Sequence, residues 1–78
     1  MARLVPVVSS ALTSMSYDRT TGRLIVQFSE DSFYEYDSVP GDVVLDVMFA
    51  DSHGQAFDRL VKKGGFGYRR VHRDQALA

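Results

Sequence analysis

The stretch "KGGFGYRR" at residues 63–70 sets two aromatic residues, Phe66 and Tyr68, among Lys63, Arg69 and Arg70. Cations so interleaved contact phosphates while an aromatic face stacks on a base, which is the chemistry of single-stranded nucleic-acid binding. With the neighbouring cations, the candidate set is Arg59, Lys62, Lys63, Phe66, Tyr68, Arg69, Arg70 and Arg73. The competing reading is structural: Phe66 and Tyr68 pin the C-terminal segment to a core that needs its aromatics.

A second pair lies in "DSFYEYDSVP" at residues 31–40, where Tyr34 and Tyr36 are two apart. On a strand they share a face and could form a stacking platform for bases. Alternation puts Phe33, Glu35 and Asp37 on the other face. Carboxylates belong in water, so the tyrosines are expected to face the helices and fix how the sheet packs. The 63–70 stretch is similar to the aromatic signature of the RRM sheet, with an extra glycine and Arg69 in the aliphatic position. In that fold the signature occupies a central strand, whereas here it follows the last expected helix, so an RRM is not expected.

No catalytic constellation is visible. Ser9, Ser10, Ser14 and Ser16 have no base beside them, because the only histidines are His53, at an expected helix start, and His72, in the C-terminal segment. Asp42 and Asp46 share a helix face, but no oxygen-rich loop follows them, and they read as a solvated face. The glycines fit neither a phosphate-binding loop nor a dinucleotide fingerprint. Neither metal nor cofactor is expected, and the chain does not read as an enzyme.

The 78 residues make one domain of ordinary globular composition, 45% hydrophobic and 24% charged, with a thin core. There is no cysteine, which removes disulfides and thiolate chemistry and fits a reducing cytoplasm. The apolar run near the start is broken by Pro6, too short for a signal sequence, and nothing approaches a membrane span. Charge is unevenly spread. Residues 1–58 carry three arginines against nine acids, a net −6, while residues 59–78 carry six cations against Asp74, a net +5. An acidic body with a basic C-terminal segment suits an anionic partner or self-association.

These residues need elements to hold them. Turn clusters at Thr20-Thr21-Gly22 and Ser29-Glu30-Asp31 separate three alternating segments, a meander in which Leu24, Val26 and Phe28 face the core and Ile25 is the exception. The spacing of Leu12, Met15 and Tyr17 suggests a bulge or early bend. Pro40 then suits a first helical position, and Val43, Val44, Val47 and Met48 form one apolar stripe of a helix over about 40–50. "SHGQ" at 52–55 matches a capping box, opening a second helix over about 52–63 in which Asp58 can pair with Lys62 before Gly64-Gly65 ends it. The expected fold is α+β: a three-stranded antiparallel meander, two short helices (βββαα) and a basic C-terminal tail lying along the sheet or the second helix. The core should span about 8–71, with loose ends at 1–6 and 73–78. On the first helix Leu45 and Phe49 lie opposite the apolar stripe. Either they form an interface patch, or the tail covers them.

As a whole, the chain resembles the KTSC domain, a short module named after the C-terminus of some lysyl-tRNA synthetases and also found as small free-standing bacterial and phage proteins. The carrying residues are Ser9-Ser10 with Leu12 and Met15, Tyr17-Asp18, "TGRLIVQF" at 21–28, Tyr34-Glu35-Tyr36, Val39-Pro40, and Phe57 with Leu60 and Val61. The resemblance implies a binding domain without catalytic residues, with RNA as the suggested partner. Three positions depart from the family: Asp58 stands where Asn is usual, and Leu45 and Phe49 stand where polar residues are expected. The expected function is thus nucleic-acid binding through the C-terminal segment. The alternative is a protein-interaction or self-associating module, acting on a host protein in the host cytoplasm if phage-encoded.

Overall fold

In the computed structural model, residues 5–6 and 12–76 are described. The elements are β1 (Val5–Pro6), β2 (Ser14–Asp18), β3 (Arg23–Ser29), β4 (Ser32–Tyr36), α1 (Gly41–Phe49), α2 (His53–Phe57) continuing as a π-helical turn (Asp58–Lys62), β5 (Tyr68–Val71) and α3 (Arg73–Ala76). The strands form one antiparallel sheet in sequential order, β1 to β5. The α+β class and the central meander agree with the sequence reading; the count of elements does not. Two strands and a terminal helix join the expected βββαα.

β1 and α3 fall on segments expected to be loose, whereas β5 is the C-terminal segment expected to lie along the sheet or the second helix. Val5–Pro6 pair with Met15 and Ser14 of β2. Tyr68–Val71 pair along β4, and α3 follows with Ala76 fully buried. The remaining expected loose ends, 1–4 and 77–78, and the Ser9-Ser10 pair of the resemblance, lie outside the described residues.

The sheet buries both faces. On one face Met15, Leu24, Val26 and Tyr36 pack against Val44, Val47, Ala56, Phe57 and Val61 of the helical layer. On the other, Ile25 and Phe33 pack with Val71 and Ala76. Ile25 broke the alternation of β3 because it belongs to this second core. Phe33 and Glu35, expected in water, are 0% and 6% exposed, since β5 and α3 cover them. Fully burying a side chain such as Ile25 or Phe33 contributes about 1.5–3 kcal/mol, which is why the extension matters to so small a domain.

A buried carboxylate needs partners. Glu35 has two: Arg23 Nε donates to Oε2 at 2.7 Å, and Arg69 approaches Oε1 at 3.3 Å. Arg23 also donates to the Gln75 carbonyl at 2.9 Å, tying α3 to the sheet. No bulge interrupts the β2–β3 pairing; Leu12 is buried just ahead of β2, past a bend at Thr13, and the register instead shifts between Gln27 and Ser29 of β3.

Loop contacts fix the layers. Gly22 adopts φ +78°, and a Cβ there would lie 3.0 Å from the Ser38 Cα, so the β2–β3 turn docks closely on the loop before α1. The Tyr17 hydroxyl donates to the Val39 carbonyl of that loop at 2.6 Å. Pro40 caps α1 from just outside it, one position earlier than expected, with Asp42 in the first turn. The Ser52 hydroxyl caps α2 by accepting from Gln55 N at 3.3 Å. His53, at the start of α2, is half-buried, its Nε2 3.0 Å from the Met48 carbonyl, joining the two helices.

Candidate functional site

The π-helical turn decides where the cations of the second helix point. Lys63 N donates to the Asp58 carbonyl at 3.0 Å, an i to i+5 bond that widens the last turn. The side chain brought over Asp58 is therefore Lys63, at 3.2 Å, and not Lys62, which the α-helical spacing had selected. Both partners are substantially solvated, so the pair is weakly held.

Opposite this turn, β4 and β5 set out a row of tyrosines. Tyr36 and Tyr68 are cross-strand partners and stack at 5.3 Å between centroids, 27° apart. Tyr34 lies 6.3 Å from Tyr68, and Phe28 meets Tyr34 edge-on at 5.4 Å. Between this aromatic floor and a wall of Asp58, Lys62 and Lys63 runs a groove of about 630 Å³, with Ser32 also lining it. Tyr36 is 3% exposed, while Tyr68 is 63% exposed and offers its outer ring face. Burial, then the neighbouring Tyr68 and Tyr34, push the Tyr36 phenol above its ordinary pKa, so it stays a neutral hydroxyl.

The expected pair Tyr34 and Tyr36 thus divides: Tyr36 belongs to the main core, and Tyr34 is partly buried and floors the groove. Phe66 is half-buried against the core, close enough that a Cβ on Gly64 would meet its ring at 2.9 Å. It pins the segment, as one reading of the sequence had it. Tyr68 is the available ring.

The eight residues proposed from sequence are not one patch. Lys62 and Lys63 line the groove; Arg70, opposite Tyr34 in register, shares that sheet face and lines a smaller hollow of about 270 Å³ with Asp31 and His72. Arg69 projects from the other face towards Glu35. Arg73 lies over the Phe33 ring at 5.4 Å and donates to the Glu30 carbonyl. Arg59 is exposed on the π-helical turn and does not line the groove. β5 inverts alternate side chains, and that separates Arg69 from Arg70. The sequence reading missed Asp58 as a groove residue, having assigned it only to the pair with Lys62.

Leu45 and Phe49 are 56% and 83% exposed, and the C-terminal segment runs along β4 instead of covering them. Among the described residues no three His, Asp or Glu side chains converge as a metal site, and no helix is long and apolar enough to cross a membrane.

Comparison with known proteins places these features in a family. The model of the KTSC domain matches residues 8–66. The crystal structure of a KTSC domain protein from Yersinia pestis superposes with a TM-score of 0.82 at 35% identity, covering 91% of this chain and 99% of that one. An uncharacterized protein of Stutzerimonas stutzeri (strain A1501) is 37% identical over 67 residues, 86% of this chain and 94% of its own length. A lysine–tRNA ligase of Nostoc punctiforme is 36% identical over 62 residues, which span 80% of this chain but only 11% of that enzyme. On the extent of the family match and the agreement of fold, the chain belongs to the KTSC domain family.

Proposed function

We propose that this domain is a non-catalytic binding module that takes single-stranded RNA in the groove between β4–β5 and the π-helical turn. The observation carrying the proposal is Tyr68: a 63% exposed ring, backed by the stacked Tyr36, facing a groove walled by Lys62 and Lys63. An exposed, pre-oriented aromatic beside cations is what base stacking with phosphate contact requires. RNA is favoured over DNA because a related segment is carried by a lysine–tRNA ligase.

Only three of the candidate cations, Lys62, Lys63 and Arg70, share the tyrosine face. Three phosphate contacts give a slope of about −2 for log K against log salt, so affinity is modest and lost at high salt. Fluorescence anisotropy of a short single-stranded RNA over a salt series tests this. No binding at low salt overturns the proposal, and a slope near −4 would implicate the full set of cations instead.

A second reading is a protein interface on α1, favoured by the exposed Leu45 and Phe49. Its homo-oligomer version is tested by sedimentation: a monomer at high concentration, unchanged by Leu45→Asp, removes it.

A further inference from the structure

Asp58 lines the same groove as Tyr68, Lys62 and Lys63, with its side chain 44% exposed. A carboxylate repels phosphates, so in an RNA groove it faces a hydrogen-bond donor, and beyond the 2′-hydroxyl, which every nucleotide carries alike, the donors that can select a base lie on its edge. Guanine has two such donors side by side, N1–H and the N2 amine, which match the two oxygens of a carboxylate. Adenine and cytosine set their amine beside a ring-nitrogen acceptor, and uracil flanks N3–H with two carbonyls, so each brings a lone pair against the second oxygen.

We infer that the groove selects guanine, with Asp58 accepting from the Watson–Crick edge of a base stacked on Tyr68. This rests on the RNA-binding reading above. Lys63 holds Asp58 in the free domain through an exposed pair at 3.2 Å, weak enough to exchange for a base edge and release Lys63 to a phosphate. A bidentate pair of this kind discriminates by about tenfold to a hundredfold.

The test is the affinity of the intact domain for five single-stranded RNA pentamers, identical in their flanking uridines and carrying G, A, C, U or inosine at the centre, at low salt. The G pentamer is expected to bind about tenfold or more tightly than A, C or U, with inosine, which keeps N1–H but lacks the amine, in between. Asp58→Asn is expected to erase the preference while the A, C and U pentamers bind more tightly than before, since a negative charge has left the groove and Lys63 is freed. Thermal melting of that variant establishes that it is folded. If all five bind within twofold of one another, or if Asp58→Asn keeps the ratio, the guanine assignment falls while RNA binding stands. If none binds, both fall.

Discussion

Arg23 and Glu35 sit on neighbouring strands with Arg23 Nε 2.7 Å from the carboxylate, the Glu35 side chain 7% exposed and the arginine 30% exposed. The two arginines that hold Glu35 are not equivalent. Arg69, 68% exposed, sits at the rim. Removing Arg23 strands a buried carboxylate and releases the Gln75 carbonyl. Arg23→Ala should therefore cost about 2–3 kcal/mol, and Arg69→Ala at most about 1 kcal/mol. Urea unfolding at neutral pH checks the order, and equal losses would contradict the account.

Alkaline pH offers a test of the tyrosine row. The folded pKa of Tyr36 lies above the ordinary 10.0 because of burial and the nearby Tyr68 and Tyr34. Between the two values the folded chain keeps a proton that the unfolded chain has released. The contribution is complete below the ordinary value and is lost as pH rises through the folded one. Melting temperatures across this range should fall more steeply for the native chain than for Tyr36→Phe.

Two glycines with positive φ separate backbone conformation from close approach. Gly65, at φ +82°, has nothing within 4 Å of a built Cβ, whereas Gly22, at φ +78°, has the Ser38 Cα at 3.0 Å. Gly65→Ala should cost about 1 kcal/mol, and Gly22→Ala about 3 kcal/mol, because backbone must move as well. Denaturant midpoints should rank them in that order.

The two aromatics of the C-terminal segment should respond oppositely. Tyr68→Ala should weaken RNA binding about tenfold with little loss of stability. Phe66→Ala should cost about 1–2 kcal/mol of folding through lost packing. If Phe66→Ala alone abolished binding in a folded protein, the assignment of roles would be reversed.

On α1, Phe49→Asp should leave stability within about 0.5 kcal/mol, since the ring is 83% exposed. A larger loss in thermal melting would mean that the ring is covered in solution.

The meander, α1 and the Ser52 cap were legible because each rests on local rules: alternation, turn clusters, helical spacing. β5 and α3 were not. Their stability comes from pairing with β4, more than thirty residues earlier, and from Val71 and Ala76 filling a core whose only early sign was Ile25. Glu35 was misplaced for the same reason, since a carboxylate reads as solvated until the arginines of the two flanking strands are known to meet it. The groove was half legible. Tyr68, Lys62 and Lys63 stood out by type, but the π-helical turn that swings Lys63 over Asp58 leaves no spacing signature.

The pairing of β5 with β4 also orders events in time. β2, β3 and β4 join through turns of a few residues, whereas Tyr36 meets Tyr68 only after both helices have intervened. Long closures are the slow ones, so the meander should assemble first and the C-terminal strand zip on last. The groove then does not exist until β5 has docked on β4, so its two walls come together only at the final step of folding.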